Sequence, residues 1–490
     1  MSRLDGNNIK RTIKYIKRNG ITPTFYKIRE RLERDDEEAG YSAEAVASAP
    51  SEEELKQQRE TVFIHQYRIS ILVPAFETDV RVFKDMVRSV LRQSYANWEL
   101  IIADASKDET LKAVLNDYLM EFTLGTEGTL IDRSKIKYIH LDENKGISAN
   151  SNAALDEATG EYIALLDHDD IITPDALYEV MKILDSKTSV CSGTNYRSYY
   201  RMVYSDEDKT NYEGTRYFDH HIKPKFDPYL IMTNNYICHF LVVETALVRG
   251  VGGFCEKYDG AQDHDLVLRC SEGIRKEEIA HIAKVLYHWR SSKGSTAENP
   301  DAKLYAYRAG RHAVMAHLHR MGYSAVVEDT VHLGFFRVRF AENNQPVLAM
   351  RRKEFDSLTE GDILRIKEEY IMVLGDDLEP EDPGYLSQMM TYMVCDDIAI
   401  VTGKLIGKDK KIESAGFAAE NGGTRKPRFK GLNRHYSGYL HRASLMQMSD
   451  SVDYDCMLIR KCALKKCDGK IKVDETMGIL YDPYSSFVRK

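Results

Sequence analysis

Within the 490 residues no apolar run approaches the roughly 20 residues that a membrane-spanning helix needs. Nor does the N-terminus carry the charged, apolar and small-residue blocks of a secretory signal. The expectation is a soluble or at most peripheral protein, cytoplasmic or resting on the inner face of the cell membrane. Eight cysteines form no Cys-x-x-Cys pair, which argues against a zinc knuckle or a disulfide framework and fits a reducing cytosol. There is no Walker loop and no Gly-x-Gly-x-x-Gly, which argues against ATPase and dehydrogenase readings. Basic residues are not in excess, 68 against 76 acidic, so nothing points to a nucleic-acid partner.

What is present centres on Glu161 to Asp170, Glu-Tyr-Ile-Ala-Leu-Leu-Asp-His-Asp-Asp. A short apolar strand discharges into three carboxylates, and Thr173-Pro174 then opens a helix over Ala176 to Leu184. In open α/β sheets ligands bind at such strand ends. Carboxylates one residue apart can share Mg²⁺ or Mn²⁺ through oxygen. An acidic helix start with no metal explains the same residues.

The first 34 residues hold ten Lys or Arg against Asp5, Glu30 and Glu33, a net +7. Ile9, Ile13 and Ile16, then Phe25, Ile28 and Leu32, recur at helical spacing. Such a basic amphipathic pair either lies on anionic lipid or packs on a neighbouring domain. Asp35 to Pro50 reads as a linker, and Ser51 with Glu54 as a capping box. From Arg68 strands and helices alternate: Ile69–Phe76, Trp98–Asp104, Ile136–Leu141 and Tyr162–Leu166 as strands, with amphipathic helices between. That alternation predicts a mostly parallel sheet with helices on both faces. Polar residues end each strand, which predicts one composite site.

The order of Ile69-Ser-Ile-Leu-Val-Pro-Ala-Phe, Ile101-Ile-Ala-Asp-Ala-Ser, Asn144-Lys-Gly-Ile-Ser and Leu166-Asp-His-Asp-Asp resembles family 2 glycosyltransferases of GT-A fold. Tyr204-Ser-Asp-Glu-Asp, Asn235-Tyr-Ile-Cys-His, Gln262-Asp-His-Asp and Tyr287-His-Trp-Arg continue the likeness as far as Gly322. The set is similar to bacterial rhamnosyltransferase-like enzymes of cell-surface polysaccharide synthesis. The resemblance implies a nucleotide-sugar donor, UDP- or dTDP-linked, held by Pro74, Phe76, Asp104, Ser106, Asn144, Gly146 and Asp167. It implies a Mn²⁺ or Mg²⁺ ion on Asp169, His288 and Asp167, with Arg290 and Ser295 on the diphosphate. Asp263 becomes the base that deprotonates the acceptor, and Asn235, Tyr236 and His239 the acceptor pocket. Capping of the helix from Gln262 is the alternative role for Asp263 and Asp265. The acceptor implied is a glycan, lipid-linked by analogy, and a homodimer is among the oligomeric states left open.

Glu369-Tyr-Ile-Met-Val-Leu-Gly-Asp-Asp377 repeats Glu161–Asp169 at an offset of 208 residues. Lys461-Cys-Ala-Leu echoes Glu244-Thr-Ala-Leu. Gly375 replaces the first acid, and the short segment before Glu369 leaves no counterpart for Ile69–Phe76 or Trp98–Asp104. The expected organisation is a basic helical extension over 1–66, a GT-A catalytic domain over 67–325 and a truncated, degenerate GT-A-like domain over 326–490. A non-catalytic sugar-nucleotide or glycan-binding scaffold is the rival reading, and a metal phosphoesterase the third.

Overall fold

A computed structural model describes residues 6–37, 40–124, 132–192, 195–291, 304–419, 424–467 and 470–490. The chain forms two compact units. One comprises 38–226 with 235–317, the other 1–37 with 227–234 and 318–490. A separate extension over 1–66 is therefore not what forms, because its two halves belong to different units. Among the described residues no helix is long and apolar enough to cross a membrane.

The first unit is built on strands β1 (Ile69–Ala75), β2 (Trp98–Asp104), β3 (Ile136–His140), β4 (Tyr162–Leu165), β5 (Ile171–Ile172), β6 (Thr188–Ser192), β7 (Asn195–Ser198), β8 (Met202–Thr210), β9 (Tyr217–His221), β10 (Leu241–Glu244) and β11 (Ile279–Arg290). All seven residues of β2 are buried, as expected for a strand covered on both faces. The main sheet runs β3-β2-β1-β4-β10-β8-β11-β5, with β9 added to β8. Neighbours from β3 to β4 are parallel, β10 is antiparallel to both its neighbours, and β8 and β11 are parallel again. Helix Val80–Leu91 connects β1 to β2; Asp79 accepts from Arg81 N at 2.8 Å, and Phe83, Met86, Val87 and Val90 are buried in the main core. Each fully buried side chain of that size contributes about 1.5–3 kcal/mol.

Two features of this sheet position the site. Ala75, Asp104 and His140 stand level at the carboxyl ends of β1, β2 and β3. Pairing of Tyr287 with Ile172 and His288 with Ile171 then lays the end of β11 beside the acidic loop 167–170. Residues 35–50 are not a plain linker: Tyr41–Ala47 is helical, Tyr41 OH donates to Asp208 Oδ2 at 3.0 Å, and Tyr217 N donates to Ser42 Oγ at 3.0 Å.

In the second unit the strands Val347–Arg351, Tyr370–Leu374, Cys456–Arg460, Ile398–Ile406, Gly478–Arg489 and Leu378–Pro380 lie in that spatial order. Their pairings, parallel, antiparallel, antiparallel, parallel, antiparallel, repeat those of β1-β4-β10-β8-β11-β5 step for step. The duplication expected from Glu369–Asp377 is thus a duplication of topology. Its extent differs from expectation, since Val347–Arg351 takes the place of β1. Among the described residues, β2 and β3 of the main sheet have no counterpart in this sheet. The sequence hid the strand because Val-Leu-Ala-Met-Arg is short and lacks the Val-Pro-Ala ending of β1. The N-terminal helices are tied into this unit: Glu30 accepts from Gly438 N at 2.6 Å and Ser437 N at 3.1 Å, and Tyr26 stacks on His435 at 4.4 Å.

Candidate active site

At the end of β2 the Asp104 side chain is fully buried. Oδ1 accepts from Ser106 N at 2.9 Å and Ser106 Oγ at 2.6 Å, and Oδ2 accepts from Tyr138 OH. Ser106 Oγ in turn accepts from Glu77 N at 2.8 Å. Direct contact between Asp104 and a nucleotide is therefore corrected: Asp104 is the keystone of a turn, and shapes the site by holding the loops after β1 and β2 together. Pro74 is half-buried in β1, while the Phe76 ring beyond it is exposed. Asn144 Oδ1 accepts from Gly146 N at 3.1 Å and Asn150 Nδ2 at 3.2 Å. Gly146 has φ +101°, and a Cβ there would stand 2.1 Å from Asp259 Oδ2. Asp259 accepts from Ser148 N at 3.2 Å, at the start of helix Ile147–Asp156. Glycine is required here for that close approach.

The acidic loop is clamped from β11. Asp170 is buried; Oδ2 accepts from Tyr287 OH at 2.5 Å and Oδ1 from Arg290 N at 2.7 Å. Burial, then the like charges of Asp169 and Asp167, push its carboxyl well above the usual range. Arg290 is wholly enclosed, with Nε donating to Asp169 O at 2.6 Å, Nη1 to Tyr212 O, and Nη2 lying 3.3 Å from Asp85 Oδ2. The expected diphosphate contact for Arg290 is thus overturned, because its donors are spent inside the protein. Ser295 lies outside the described residues. Asp167 keeps 45% of its side chain exposed, and among the described residues neither its carboxylate nor that of Asp169 accepts a hydrogen bond. Desolvation together with Asp169 and Asp263 raises the Asp167 carboxyl, against the pull of His239. Two hard, available oxygen donors suit Mg²⁺ or Mn²⁺.

On the acceptor side, Asp263 stands in the first turn of helix Gln262–Glu272, but Ala261 occupies the N-cap and no side chain caps that helix. Asp263 Oδ2 instead accepts from Asn235 Nδ2 at 2.9 Å, and Asp265 is taken by Arg269 Nε at 2.8 Å. The capping role weighed for these acids is therefore not what they perform. Tyr236 is buried edge-on to Tyr204 at 6.2 Å, which corrects its place in an acceptor pocket. His239 stacks on Tyr287 at 4.7 Å, its Nδ1 lies 3.2 Å from Glu207 Oε2, and its Nε2 lies 3.9 Å from Asp167 Oδ2. Burial disfavours the imidazolium, yet Glu207 and Asp167 outweigh it and raise the His239 pKa to about 9. Burial works against the Glu207 anion too, but Lys223, His221 and His239 hold its carboxyl far below the ordinary value.

His288 departs from the expected metal set. Its Nδ1 is 2.5 Å from Asp208 Oδ1 and its ring tilts over Tyr217 at 4.4 Å. Among the described residues Asp167, Asp169 and His288 do not converge, whereas donor atoms of Cys238, His239 and Asp263 lie within 4.8 Å of one another. Glu207, Asp259 and Cys238 are among the residues whose place in the site the sequence does not announce. Tyr204-Ser-Asp-Glu-Asp208 and Asn235-Tyr-Ile-Cys-His239 contain two of them, so the signal was there without a partner to read it against.

Residues 70–249 match the family model Glycosyl transferase family 2. This segment is a family 2 glycosyltransferase domain. The chain is 30% identical over 456 residues to an uncharacterized protein of Sinorhizobium fredii, y4gI, covering 80% of this chain and 48% of the relative. It is 28% identical over 313 residues to the O-antigen biosynthesis protein RfbC of Myxococcus xanthus, covering 64% and 23%. Identity to the chondroitin synthase of Pasteurella multocida is 29% over 222 residues, covering 45% and 20%. The chain spans about half the length, or less, of these curated relatives.

Outside the glycosyltransferase domain the duplicated sheet has lost the site's chemistry. Asp377, at the place of Asp169, accepts from Arg489 Nη1 at 2.6 Å, and Arg489 also meets Glu413 at 3.0 Å and Asp455 at 3.1 Å. The hydrogen bond to Arg489 holds the Asp377 carboxyl low. A guanidinium stands where a cation would have to bind. Val488 pairs with Glu379 as His288 pairs with Ile171.

Proposed function

We propose that the chain moves a sugar from a UDP- or dTDP-linked donor to a hydroxyl of a growing cell-surface glycan, with inversion at the anomeric carbon. The observation that carries this reading is a division among acids. Asp104 and Asp170 are consumed by the fold and Asp265 is enclosed against Arg269, while Asp167, Asp169 and Asp263 stay partly exposed with oxygens to offer. In this reading Asp167 and Asp169 hold a divalent ion, which when bound neutralises charge on the departing diphosphate. Asp263, steadied by Asn235, takes the proton of the attacking hydroxyl. Phe76, with the loop fixed by Asp104 and Ser106, receives the base, and Asn144 with Gly146 frames the ribose side. The printed role of RfbC in O-antigen biosynthesis supports a surface polysaccharide as product.

A lipid-linked acceptor is part of the proposal. Ile21, Phe25, Ile28 and Leu32 recur at helical spacing and are exposed at 76%, 59%, 44% and 43%. With the basic excess around them they fit an anionic bilayer surface. Flotation with anionic but not with zwitterionic vesicles is the expected result, and equal recovery with both removes this part.

Thermal unfolding with UDP-, dTDP- and GDP-sugars, each with and without Mn²⁺, tests the whole. A donor at 100 times its Kd adds about 2.7 kcal/mol, a clear rise in Tm. A manganese-dependent rise with one nucleotide, abolished by Asp169→Ala, is the expected pattern. No rise with any donor turns the reading to a glycan-binding scaffold.

A further inference from the structure

We propose a second metal site in the glycosyltransferase unit, selective for a soft cation such as Zn²⁺, formed by Cys238 Sγ, His239 Nε2 and an oxygen of Asp263. Their donor atoms lie within 4.8 Å of one another, with Sγ and Nε2 at 2.8 Å. Tetrahedral zinc, with bonds of about 2.0–2.3 Å, sets its ligand atoms about 3.5 Å apart. A tetrahedral ion held there would set Sγ and Nε2 further apart than their 2.8 Å and would leave its fourth position to water.

The surroundings of His239 supply an independent argument. Zinc-binding imidazoles commonly give their other nitrogen to a carboxylate, which fixes tautomer and ring orientation. Glu207, itself buried, occupies that place at 3.2 Å from Nδ1, and the Tyr287 ring stacks within 13° of parallel to the imidazole. Nε2 is thereby directed to the side where Cys238 and Asp263 lie, with Asp167 Oδ2 3.9 Å away. Asn235 donates to Oδ2 of Asp263 at 2.9 Å, and the Cys238 thiol faces the same carboxylate.

Ligand chemistry separates this site from the acidic loop. Thiolate and imidazole select zinc-like ions, whereas the oxygen pair Asp167 and Asp169 selects Mg²⁺ or Mn²⁺. Binding forms a zinc–sulfur bond as the thiol proton leaves to solvent, and Nε2 binds through its lone pair after releasing any proton it carries. No electron is transferred. Once coordinated, Asp263 gives an oxygen and much of its basicity to the metal and takes the acceptor's proton poorly, so zinc inhibits transfer. That consequence rests on the reading of Asp263 as base; the binding itself does not.

The experiment uses the full chain, stripped of metal and titrated with Co²⁺, which reports thiolate ligation in its absorption spectrum. One equivalent is expected to produce a thiolate-to-cobalt charge-transfer band in the near ultraviolet, bleached by Zn²⁺. Cys238→Ser should abolish the band, while Asp169→Ala and Cys462→Ser, the latter at an exposed free cysteine, should retain it. If Cys238→Ser does not fold, as judged by circular dichroism, Asp263→Asn is the second variant and should shift or weaken the band. Absence of a thiolate band, or its survival in Cys238→Ser, overturns the site. A cobalt spectrum as expected, joined to transfer that zinc leaves untouched, upholds the site and overturns Asp263 as base.

Discussion

Asn235 donates its side-chain amide to Asp263 Oδ2 at 2.9 Å, while its own Oδ1 is buried without a partner among the described residues. The bond fixes the carboxylate's orientation from outside its helix. Asp263→Asn should lower kcat by about 10²–10⁴ with donor binding unchanged. Asn235→Ala removes only the orientation and should cost about 10- to 100-fold in kcat. Steady-state kinetics beside donor titration checks both, and a loss of donor affinity in either variant contradicts the assignment.

Arg290 behaves as a structural clamp. Replacing it by Met leaves Asp85 without its guanidinium and the carbonyls of Asp169 and Tyr212 without their donors. The expected loss is about 3–5 kcal/mol, measured by urea unfolding. Arg290→Lys should recover only part, since one ammonium cannot span three directions. An arginine serving the diphosphate would instead raise KM with stability intact.

Gly146→Ala combines a positive φ with a Cβ aimed at Asp259. A loss above about 1 kcal/mol is expected. Adding Asp259→Ala should restore part of it by removing the clash, leaving the backbone strain. Urea midpoints of the single and double variants decide this.

Lys404 is buried in the second unit, and burial lowers its pKa from the ordinary 10.5 to about 8, with Asp482 pulling the other way. Between those values the unfolded chain binds the extra proton, so this group makes stability rise as pH climbs from 8 towards 10.5. The full span is worth about 3 kcal/mol. At pH 7 both states carry the proton and the desolvation cost stands. Lys404→Met should therefore raise the urea midpoint at pH 7 and flatten its rise between pH 8 and 10. A variant less stable at pH 7 contradicts this.

The strands β1, β2 and β4 were legible because buried parallel strands read as unbroken apolar runs. The acidic loop was legible because Asp167, His168, Asp169 and Asp170 are contiguous. Val347–Arg351 was not, since a five-residue strand is recognisable only once it pairs with Tyr370–Leu374.

Composition and order thus determined the α/β class, the repeat at 208 residues and which carboxylates stand at strand ends. Tertiary structure decided which of those carboxylates are available. Asp167 and Asp170 are three residues apart in one loop, yet Tyr287 and Arg290, about 120 positions later, consume only Asp170. Asp263 and Asp265 are likewise near neighbours, yet Asp265 is enclosed against Arg269 while Asp263 stays partly exposed beside Asn235. A sequence displays the charge on a side chain, but the partner that spends or spares it arrives from distant strands and helices only when the sheet closes.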